Sequence, residues 1–354
     1  MKRLSLIIAS ILLNLGTITA QEVKNIIYLI GDGMGLSSVS MMMVENGYEA
    51  TIFDKADNVA LQKTYSTDNR VTDSAASGTA LATGYKTNNT YIGCTPDGKA
   101  VESLMDIATA EGKATGVVVT TYLQHATPAA FYAHTESRHN YEIITEQLAG
   151  SSLDVAIGGG MEFFKRVYGD NVQYNIEKQG FSLATEFAQV AEHNGDNRLL
   201  ALLADWEVGS NQGAYLVDAT REALRLLEYR GGDEGFVLMV EGSLIDGMGH
   251  ANDAEAQQIE MQGFMGAIEV AVAYAEEHED TLVVVTADHE TGGLSIVSAD
   301  ANFNLSEQGV EYRWTTKGHS GVMIPIYLYG KKSEAINGIV ENTDIASTLM
   351  ELIR

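Results

Sequence analysis

A serine at the start of a predicted helix is the first candidate for chemistry in this sequence. Thr72 and Asp73 are residue types favoured at helix N-caps, and the alanine-rich run 75–82 favours a helix that Gly84 would end. Ser74 would then lie in the first turn, where free backbone N–H groups and the helix dipole stabilise negative charge. A hydroxyl in that place can become an alkoxide nucleophile. From this stretch alone, a serine that only caps a buried helix is the simpler interpretation.

Carboxylates and imidazoles follow several predicted buried strands further along the chain. Apolar runs at residues 25–30, 236–240 and 282–285 read as buried strands, and a carboxylate comes soon after each. The candidate side chains in these places are Asp32, Glu241, Asp246, His250, Asp288 and His289. Because sites in open α/β sheets form beyond the carboxyl ends of the strands, we expect these side chains to converge at one edge.

Metal ions are the natural partners for such a cluster, because adjacent carboxylates repel one another without a compensating cation. Mixed aspartate and histidine ligation suits zinc, whereas a set of carboxylate and threonine oxygens suits magnesium. Each motif has a simpler interpretation when taken alone. Asp246 and His250 would be turn residues of a glycine-rich loop, Asp288-His289 is similar, and Arg138 would be a surface arginine. Their joint position at successive strand ends favours a site.

Strands and helices alternate along most of the chain. Further strands are predicted at residues 113–121, 154–157, 198–203 and 322–329. Helices are predicted at residues 37–45, 219–229 and 343–353. Two more helices are predicted, one that begins at Pro128 and one that follows Asn252. This order predicts an α/β fold: a single domain of three layers, α/β/α, with a central, mostly parallel sheet flanked by helices. The glycine-rich turn after residues 25–30 lacks the spacing of a dinucleotide-binding loop. Residues 161–195 show no clear pattern, and residues 301–314 read as an irregular or hairpin excursion.

Composition and the N-terminal residues indicate export. Residues 1–20 combine Lys2 and Arg3 with an apolar run and a small residue, Ala20, which is typical of a cleaved signal peptide. We therefore expect a single soluble domain over residues 21–354, in the periplasm or secreted. The net charge of −26 disfavours nucleic acid or an anionic membrane as a partner. A single cysteine, Cys94, excludes an intrachain disulfide.

The candidate residues belong to longer motifs that run in order along the chain. These are Gly31-Asp32-Gly33-Met34-Gly35, Thr72-Asp73-Ser74-Ala75-Ala76-Ser77, His125-Ala126-Thr127-Pro128-Ala129, Glu241-Gly242-Ser243, Ile245-Asp246, His250-Ala251-Asn252, Thr286-Ala287-Asp288-His289-Glu290-Thr291-Gly292-Gly293 and Gly318-His319. Together they resemble the alkaline phosphatase family, and the resemblance covers nearly the whole chain from about residue 24. The short chain is most similar to the compact bacterial enzymes, including cold-adapted ones.

The resemblance implies hydrolysis of small phosphate monoesters through a phosphoserine at Ser74, with two zinc ions and one magnesium ion as cofactors. It implies one zinc site formed by Asp246, His250 and His319. It implies a second formed by Asp32, Asp288 and His289, with Ser74 on its open side. The magnesium ligands implied are Asp32, Thr127 and Glu241. Arg138 would bind two phosphate oxygens with its planar guanidinium. The resemblance also implies that the protein is a homodimer.

Two positions depart from the best-known pattern of that family. His125 stands where the best-known enterobacterial member has aspartate, although other members have histidine there. Gly247 stands where others carry lysine, histidine or tryptophan. The departures imply a third metal site that is less selective for magnesium, and the loss of a water-mediated contact from a lysine to phosphate.

Two other functions compete with a phosphomonoesterase. A phosphodiesterase of the same superfamily would usually have threonine as nucleophile and lack the sequence around Ser74 and the equivalent of Arg138. A metal- or phosphate-binding protein on the same scaffold would need neither Ser74 nor ligands for a second metal. Rates on a monoester and the matching diester, with and without chelator, separate the three.

Overall fold

The computed structural model describes residues 23–209, 214–299 and 309–354. The strands are β1 (Asn25–Gly31), β2 (Asn58–Lys63), β3 (Ala114–Tyr122), β4 (Val155–Gly159), β5 (Phe181–Ala184), β6 (Arg198–Leu202), β7 (Phe236–Gly242), β8 (Thr281–Thr286), β9 (Glu290–Thr291), β10 (Leu294–Ser298), β11 (Val310–Trp314), β12 (His319–Ser320), β13 (Ile324–Gly330) and β14 (Gly338–Glu341). The helices are α1 (Leu36–Glu45), α2 (Ser74–Thr83), α3 (Leu104–Ala110), α4 (Ala126–Ala129), α5 (Tyr141–Gly150), α6 (Met161–Tyr168), α7 (Val172–Lys178), α8 (Phe187–Glu192), α9 (Ala214–Gly231), α10 (Leu244–Ala251), α11 (Ala254–Glu277) and α12 (Asn342–Ile353).

One large sheet organises the molecule. Its ten strands run in the order β14-β2-β13-β8-β1-β7-β3-β4-β6-β5, and β13 alone pairs antiparallel with its neighbours β8 and β2. Ile30 of β1 is in register with Glu241 of β7 and with Thr286 of β8, so three central strands end in the same row. Loops that leave these strands therefore start side by side.

Helices cover both faces of the sheet, because the central strands are apolar on both sides. Ile26, Tyr28 and Ile30 of β1 pack in the core that includes α2, α3, α5 and α12. Ile27 and Leu29 pack in the other core, with α1, α9 and α11. The three-layer α/β/α fold with a mostly parallel sheet is confirmed. Within the described residues, no helix is both long and apolar enough to cross a membrane.

The predicted elements agree with the structure in most places and differ in a few. Asp246 and His250 lie in α10, not in a glycine-rich loop. The short helix expected from Pro128 begins at Ala126. Residues 161–195, which showed no clear pattern, form α6, α7, β5 and α8. Residues 1–22, with the predicted signal peptide, and residues 300–308, with most of the predicted excursion, lie outside the described part of the chain.

Candidate active site

Ser74 is the first residue of α2, as the sequence predicted. Asp73 is the N-cap, and its Oδ1 accepts a hydrogen bond of 3.0 Å from the backbone N–H of Ala76. All ten residues of the helix are buried, which its small side chains allow. A Cβ atom on Gly78 would lie only 3.2 Å from Cα of Thr127 in α4. The helix thus brings the Ser74 hydroxyl into the protein interior at its N-terminal end.

The ends of β1 and β8 place charged groups next to Ser74. Asp32 follows β1, and Asp288 and His289 follow β8; all three are fully buried. Nε2 of His289 lies 3.1 Å from Ser74 Oγ, 3.1 Å from Asp288 Oδ2 and 3.5 Å from Asp32 Oδ1. The residues predicted at these strand ends therefore lie close together in the structure.

Helix α10 adds a second group of ligand types. Asp246 and His250 are one turn apart on it, with His250 Nε2 3.3 Å from Asp246 Oδ2. His319, on β12, brings its Nε2 to 3.6 Å from Asp246 Oδ1 and 3.3 Å from His250 Nε2. The other ring nitrogens are bound to backbone: His319 Nδ1 lies 2.8 Å from the Thr72 carbonyl and His250 Nδ1 contacts that of Lys317. These contacts leave both Nε2 atoms facing Asp246.

Three sets of side chains in the described residues are close enough to bind a cation jointly. They are Asp246, His250 and His319; Asp32, Asp246 and His289; and Asp32, His125 and Glu241. Several atoms of these side chains and of the neighbouring Asp288 are buried without a hydrogen-bond partner: Asp32 Oδ1, Glu241 Oε1, Asp288 Oδ2 and His125 Nδ1. Buried oxygens of this kind are costly unless a donor or a cation satisfies them. The donor set therefore fits divalent cations.

Asp288, which the resemblance implied as a ligand of the second zinc site, has one carboxylate oxygen bound to backbone. Its Oδ1 accepts hydrogen bonds from the backbone N–H groups of Gly33, at 3.1 Å, and His289, at 2.9 Å. Asp246, rather than Asp288, is grouped with Asp32 and His289 by the distances between ligand atoms. Only Oδ2 of Asp288 remains for a cation.

Confinement of these charges shifts their pKa values strongly. Burial raises the pKa of Asp32, and repulsion from Asp288, Asp246 and Glu241 raises it further. Burial also raises the pKa of Glu241 to about 8. The hydrogen bond to Asp246 raises the pKa of His250 to about 9. A bound cation would relieve the repulsion and return the carboxylates to their ionised form.

Arg138 reaches the site and is fixed by two partners. Its Nη1 donates to Asp73 Oδ2 at 3.2 Å, and its Nη2 lies 3.1 Å from His125 Nε2. Asp73 therefore links α2 to Arg138, since its other oxygen caps that helix. Thr90 supports the same carboxylate through its backbone N–H, which donates to Oδ2 at 3.1 Å. This geometry presents the guanidinium beside the start of α2.

The contact with Arg138 determines the tautomer of His125. A guanidinium has only donors, so His125 Nε2 must accept, and the proton of the neutral ring lies on Nδ1. Burial, followed by the charge of Arg138, lowers the pKa of His125 to about 3, which keeps the ring neutral. Nδ1 faces Asp32 Oδ2 at 3.8 Å and Glu241 Oε1 at 4.0 Å. In this tautomer His125 offers a donor, and oxygens of Asp32, Glu241 and Thr127 remain for a cation.

Gly247 lies on α10 between the candidate ligands, and no atom lies within 4 Å of the position that a Cβ would occupy there. The histidines without a supporting motif have structural contacts instead. His134 Nδ1 contacts the Gly93 carbonyl at 2.8 Å, and His278 stacks on Tyr274 at 3.9 Å. Neither is in the three sets of candidate ligands.

Sequence reasoning missed the residues that support these ligands. Thr291 donates a hydrogen bond to Asp246 Oδ1, and Ser243 donates to Glu241 Oε2. Ser77 donates to the backbone carbonyl of Asp288 at 2.6 Å. Each of the three belongs to a quoted motif, but a buried hydroxyl has no spacing signal that would reveal its acceptor.

Comparisons with known proteins identify the family of this chain. The alkaline phosphatase family model matches residues 23–308, and the chain belongs to that family. Alkaline phosphatase 3 of Bacillus subtilis strain 168 is 33% identical over an alignment of 419 residues, gaps included, which covers 94% of this chain and 89% of the relative. Membership implies a hydrolase that acts on phosphate monoesters.

Solved structures show the same fold. The alkaline phosphatase from the Antarctic bacterium TAB5 has 36% sequence identity and a TM-score of 0.86, covering 94% of this chain and 98% of its own. A histidine-to-aspartate variant of the TAB5 enzyme, with Mg bound in the M3 site, has 35% identity, a TM-score of 0.85 and the same coverage.

Proposed function

We propose that the protein is an exported phosphomonoesterase that carries the phosphoryl group on Ser74 and uses two zinc ions and one magnesium ion. The observation that carries the proposal is the position of Ser74 Oγ, 3.1 Å from His289 Nε2 at the N-terminus of a buried helix. Around it lie carboxylates and imidazoles of the types that bind these cations. Small phosphate monoesters are the substrates, and an alcohol and phosphate are the products.

The proposed ligand sets are those that the sequence resemblance implied, and Asp246, His250 and His319 also form one of the three clusters in the structure. One zinc would be bound by Asp246, His250 and His319, and the other by Asp32, Asp288 and His289 with Ser74 on its open side. Magnesium would be bound by Asp32, Thr127 and Glu241, whose oxygens suit it. When bound, these cations lower the pKa of a hydroxyl group and of water and neutralise charge on phosphate.

In the proposed reaction, Arg138 donates two N–H groups to phosphate oxygens and orients the ester. Ser74 loses its proton and its Oγ attacks phosphorus; the bond to the ester oxygen breaks, and the departing alkoxide takes up a proton to leave as an alcohol. Water then attacks the phosphoserine, the bond between Ser74 Oγ and phosphorus breaks, and Ser74 recovers its proton as phosphate leaves. Positioning and charge stabilisation dominate such transfers, because their transition states are loose.

The test compares initial rates on an aryl phosphate monoester and the matching diester, with and without a chelator. We expect fast monoester hydrolysis that chelation abolishes and that zinc with magnesium restores, with more than one zinc ion per chain in the active protein. Ser74→Ala should keep its fold and zinc while turnover falls by several orders of magnitude. Ser38→Ala, a buried serine in α1, is the matched control. A Ser74→Ala enzyme with near-normal turnover contradicts the phosphoserine route.

The other functions would appear as distinct outcomes. Preference for the diester would indicate a phosphodiesterase of the same superfamily. Tight binding of zinc or phosphate without turnover would indicate a binding protein. Neither outcome is expected, since both Ser74 and a full set of ligand types are present.

Export and homodimer formation are further parts of the proposal. N-terminal sequencing of protein recovered from the periplasm or medium should begin at residue 21. Analytical ultracentrifugation should give twice the mass of the processed chain. A membrane and nucleic acid are not proposed as partners, because the net charge is −26.

A further inference from the structure

Buried polar side chains lie directly behind the segment that contributes Asp288 and His289. Gln62 of β2, Ser77 of α2 and Asn342 of α12 are each 0–1% exposed. The proposed reaction uses none of them. Burying polar side chains this completely lowers the stability of the fold unless they form hydrogen bonds. Their hydrogen bonds therefore indicate what these side chains hold in place.

Gln62 is bound to the end of β8. Its Nε2 donates to Thr286 Oγ1 at 2.6 Å and to the Ala287 carbonyl at 2.8 Å. Thr286 Oγ1 in turn donates to the Pro325 carbonyl of β13 at 2.9 Å. The residue before Asp288 is therefore fixed by a side chain from a different strand.

Ser77 binds the next carbonyl along the chain. Its Oγ donates to the Asp288 carbonyl at 2.6 Å, and Asn342 Nδ2 donates to the same Oγ at 3.2 Å. A hydroxyl group has one proton, and Asn342 supplies a donor to its oxygen. The proton of Ser77 is thereby left for the Asp288 carbonyl.

The peptide unit between Asp288 and His289 is held at both of its polar groups. Its carbonyl accepts from Ser77, and its N–H donates to Asp288 Oδ1 at 2.9 Å. His289 follows directly, with its Nε2 3.1 Å from Ser74 Oγ. Ser74 and Ser77 are one turn apart on α2, so one helix carries the nucleophile and also fixes the peptide that precedes His289.

We propose that Ser77 and Asn342 form a positioning pair: Asn342 directs the Ser77 proton to the Asp288 carbonyl, which sets His289 and Asp288 relative to Ser74. The inference rests on the proposed function, because it concerns the same nucleophile and ligands. Residues that orient metal ligands in this way typically change metal affinity or activity about 10- to 100-fold when they are replaced.

The experiment uses Ser77→Ala, Asn342→Leu and the double variant of the full enzyme. Zinc loss to a chromogenic chelator, the visible absorption of the Co²⁺-substituted protein, kcat and KM are measured for each. Thr220→Val is the matched control: Thr220 is fully buried in α9 and donates to a helical carbonyl, that of Leu216, at 2.7 Å. Unfolding curves show whether the variants lose comparable stability.

For Ser77→Ala we expect zinc loss about 10-fold faster or more, an altered Co²⁺ spectrum and a kcat about 10- to 100-fold lower, with a smaller change in KM. Thr220→Val should lose similar stability and leave the spectrum and kcat unchanged. Because Asn342 acts through Ser77, Asn342→Leu should add almost nothing in the Ser77→Ala background. Asn342→Asp should be more harmful than Asn342→Leu, since a carboxylate would draw the Ser77 proton away from Asp288.

The positioning role would be overturned if the effects of Ser77→Ala and Asn342→Leu were additive. It would also be overturned if Ser77→Ala matched Thr220→Val in its Co²⁺ spectrum and zinc retention. The parent enzyme separates this outcome from failure of the proposed function. If the parent does not hydrolyse monoesters or does not need metal, the proposed function fails. If it does both and the variants behave like the control, only the positioning role fails.

Discussion

At the scale of single residues, Asp73 has two separate tasks. One carboxylate oxygen caps α2 and the other accepts from Arg138 Nη1 and from the Thr90 backbone. The guanidinium is therefore oriented by the residue next to Ser74. Since Arg138 is also paired with His125, its guanidinium would meet a bound phosphate with its geometry already set.

Replacement of Arg138 should weaken phosphate binding without disturbing the metals. Loss of a charged hydrogen-bonding partner typically costs about 1.5–3 kcal/mol, or roughly 10- to 100-fold in kcat/KM for Arg138→Ala. Arg138→Lys should recover only part, because an ammonium group cannot form the paired contact. Inhibition by free phosphate should weaken in parallel with kcat/KM. Unchanged phosphate inhibition in Arg138→Ala would contradict the role.

The tautomer of His125 predicts how the third cation site responds to substitution. His125 directs an Nδ1–H group toward Asp32 and Glu241, whereas a carboxylate would direct oxygen. His125→Asp should therefore raise magnesium affinity, since magnesium prefers oxygen ligands. Titration of metal-free protein by calorimetry checks this, with His134→Asn as a control outside the candidate ligands. Equal magnesium affinity in parent and His125→Asp would count against the tautomer.

Gly247 leaves space beside the candidate ligands of α10, since nothing lies within 4 Å of its missing Cβ. Gly247→Lys should place a cation there, tighten phosphate binding and lower kcat if phosphate release limits turnover. The phosphate inhibition constant and kcat are measured beside the parent and Gly247→Ala, which adds only a methyl group. Phosphate that binds no more tightly to Gly247→Lys than to Gly247→Ala would show that the position has no such role.

At the scale of elements, the turn after β1 packs closely against α10. Gly33 has a left-handed φ of 73°, and a Cβ there would lie 2.7 Å from Cα of Asp246. Its backbone N–H also donates to Asp288 Oδ1. One turn therefore spaces two candidate ligand segments, and only glycine combines this conformation with this contact.

Gly33→Ala should lower both stability and zinc affinity. Gly47→Ala is the matched control, because Gly47 has a similar φ of 62° but nothing within 4 Å of its missing Cβ. Both variants suffer the cost of a left-handed alanine, about 1–2 kcal/mol. Only Gly33→Ala should also speed zinc loss, because it displaces the backbone of Asp246. Equal zinc retention in the two variants would exclude the contact as a spacer.

The strand ends were predictable from sequence because buried parallel strands are continuous apolar runs with polar residues after them. The same holds for α2, whose cap, alanines and terminal Gly84 all favour one structure. α10 was not predictable: Gly247 and Gly249 disfavour helix, and close packing of Gly249 against Thr291 overrides that preference. The contact between His125 and Arg138 depends on a loop path that no periodicity encodes.

At the scale of the whole molecule, an acidic chain also buries several carboxyl groups together where water is excluded. The chain has a net charge of −26, and Asp32, Glu241 and Asp288 are all fully buried at one edge of the sheet. Cations bound there would offset a repulsion that the fold otherwise tolerates at a cost in stability. Metal content and pH should therefore have coupled effects on unfolding.

In metal-free protein, the free energy of unfolding should fall as pH rises from about 6.5 to about 8. The folded-state pKa of Glu241 is raised to about 8 and that of His250 to about 9, both above their usual values. The folded state therefore binds more protons than the unfolded state in this window, and rising pH favours unfolding. The pKa of His125 is lowered, to about 3, so this residue makes stability change with pH in the opposite direction. That change is confined to pH values below the usual histidine pKa of about 6.5.

Urea unfolding of chelator-treated protein at a series of pH values measures this slope. Glu241→Gln should flatten it, because the amide does not titrate, whereas Glu277→Gln, at an exposed carboxylate at the end of α11, should leave it unchanged. Zinc and magnesium should raise stability and flatten the slope in the parent, since bound cations keep the buried carboxylates ionised across the whole range. A slope that is the same in parent and Glu241→Gln, with or without metal, would mean that confined charge at this edge of the sheet does not govern stability.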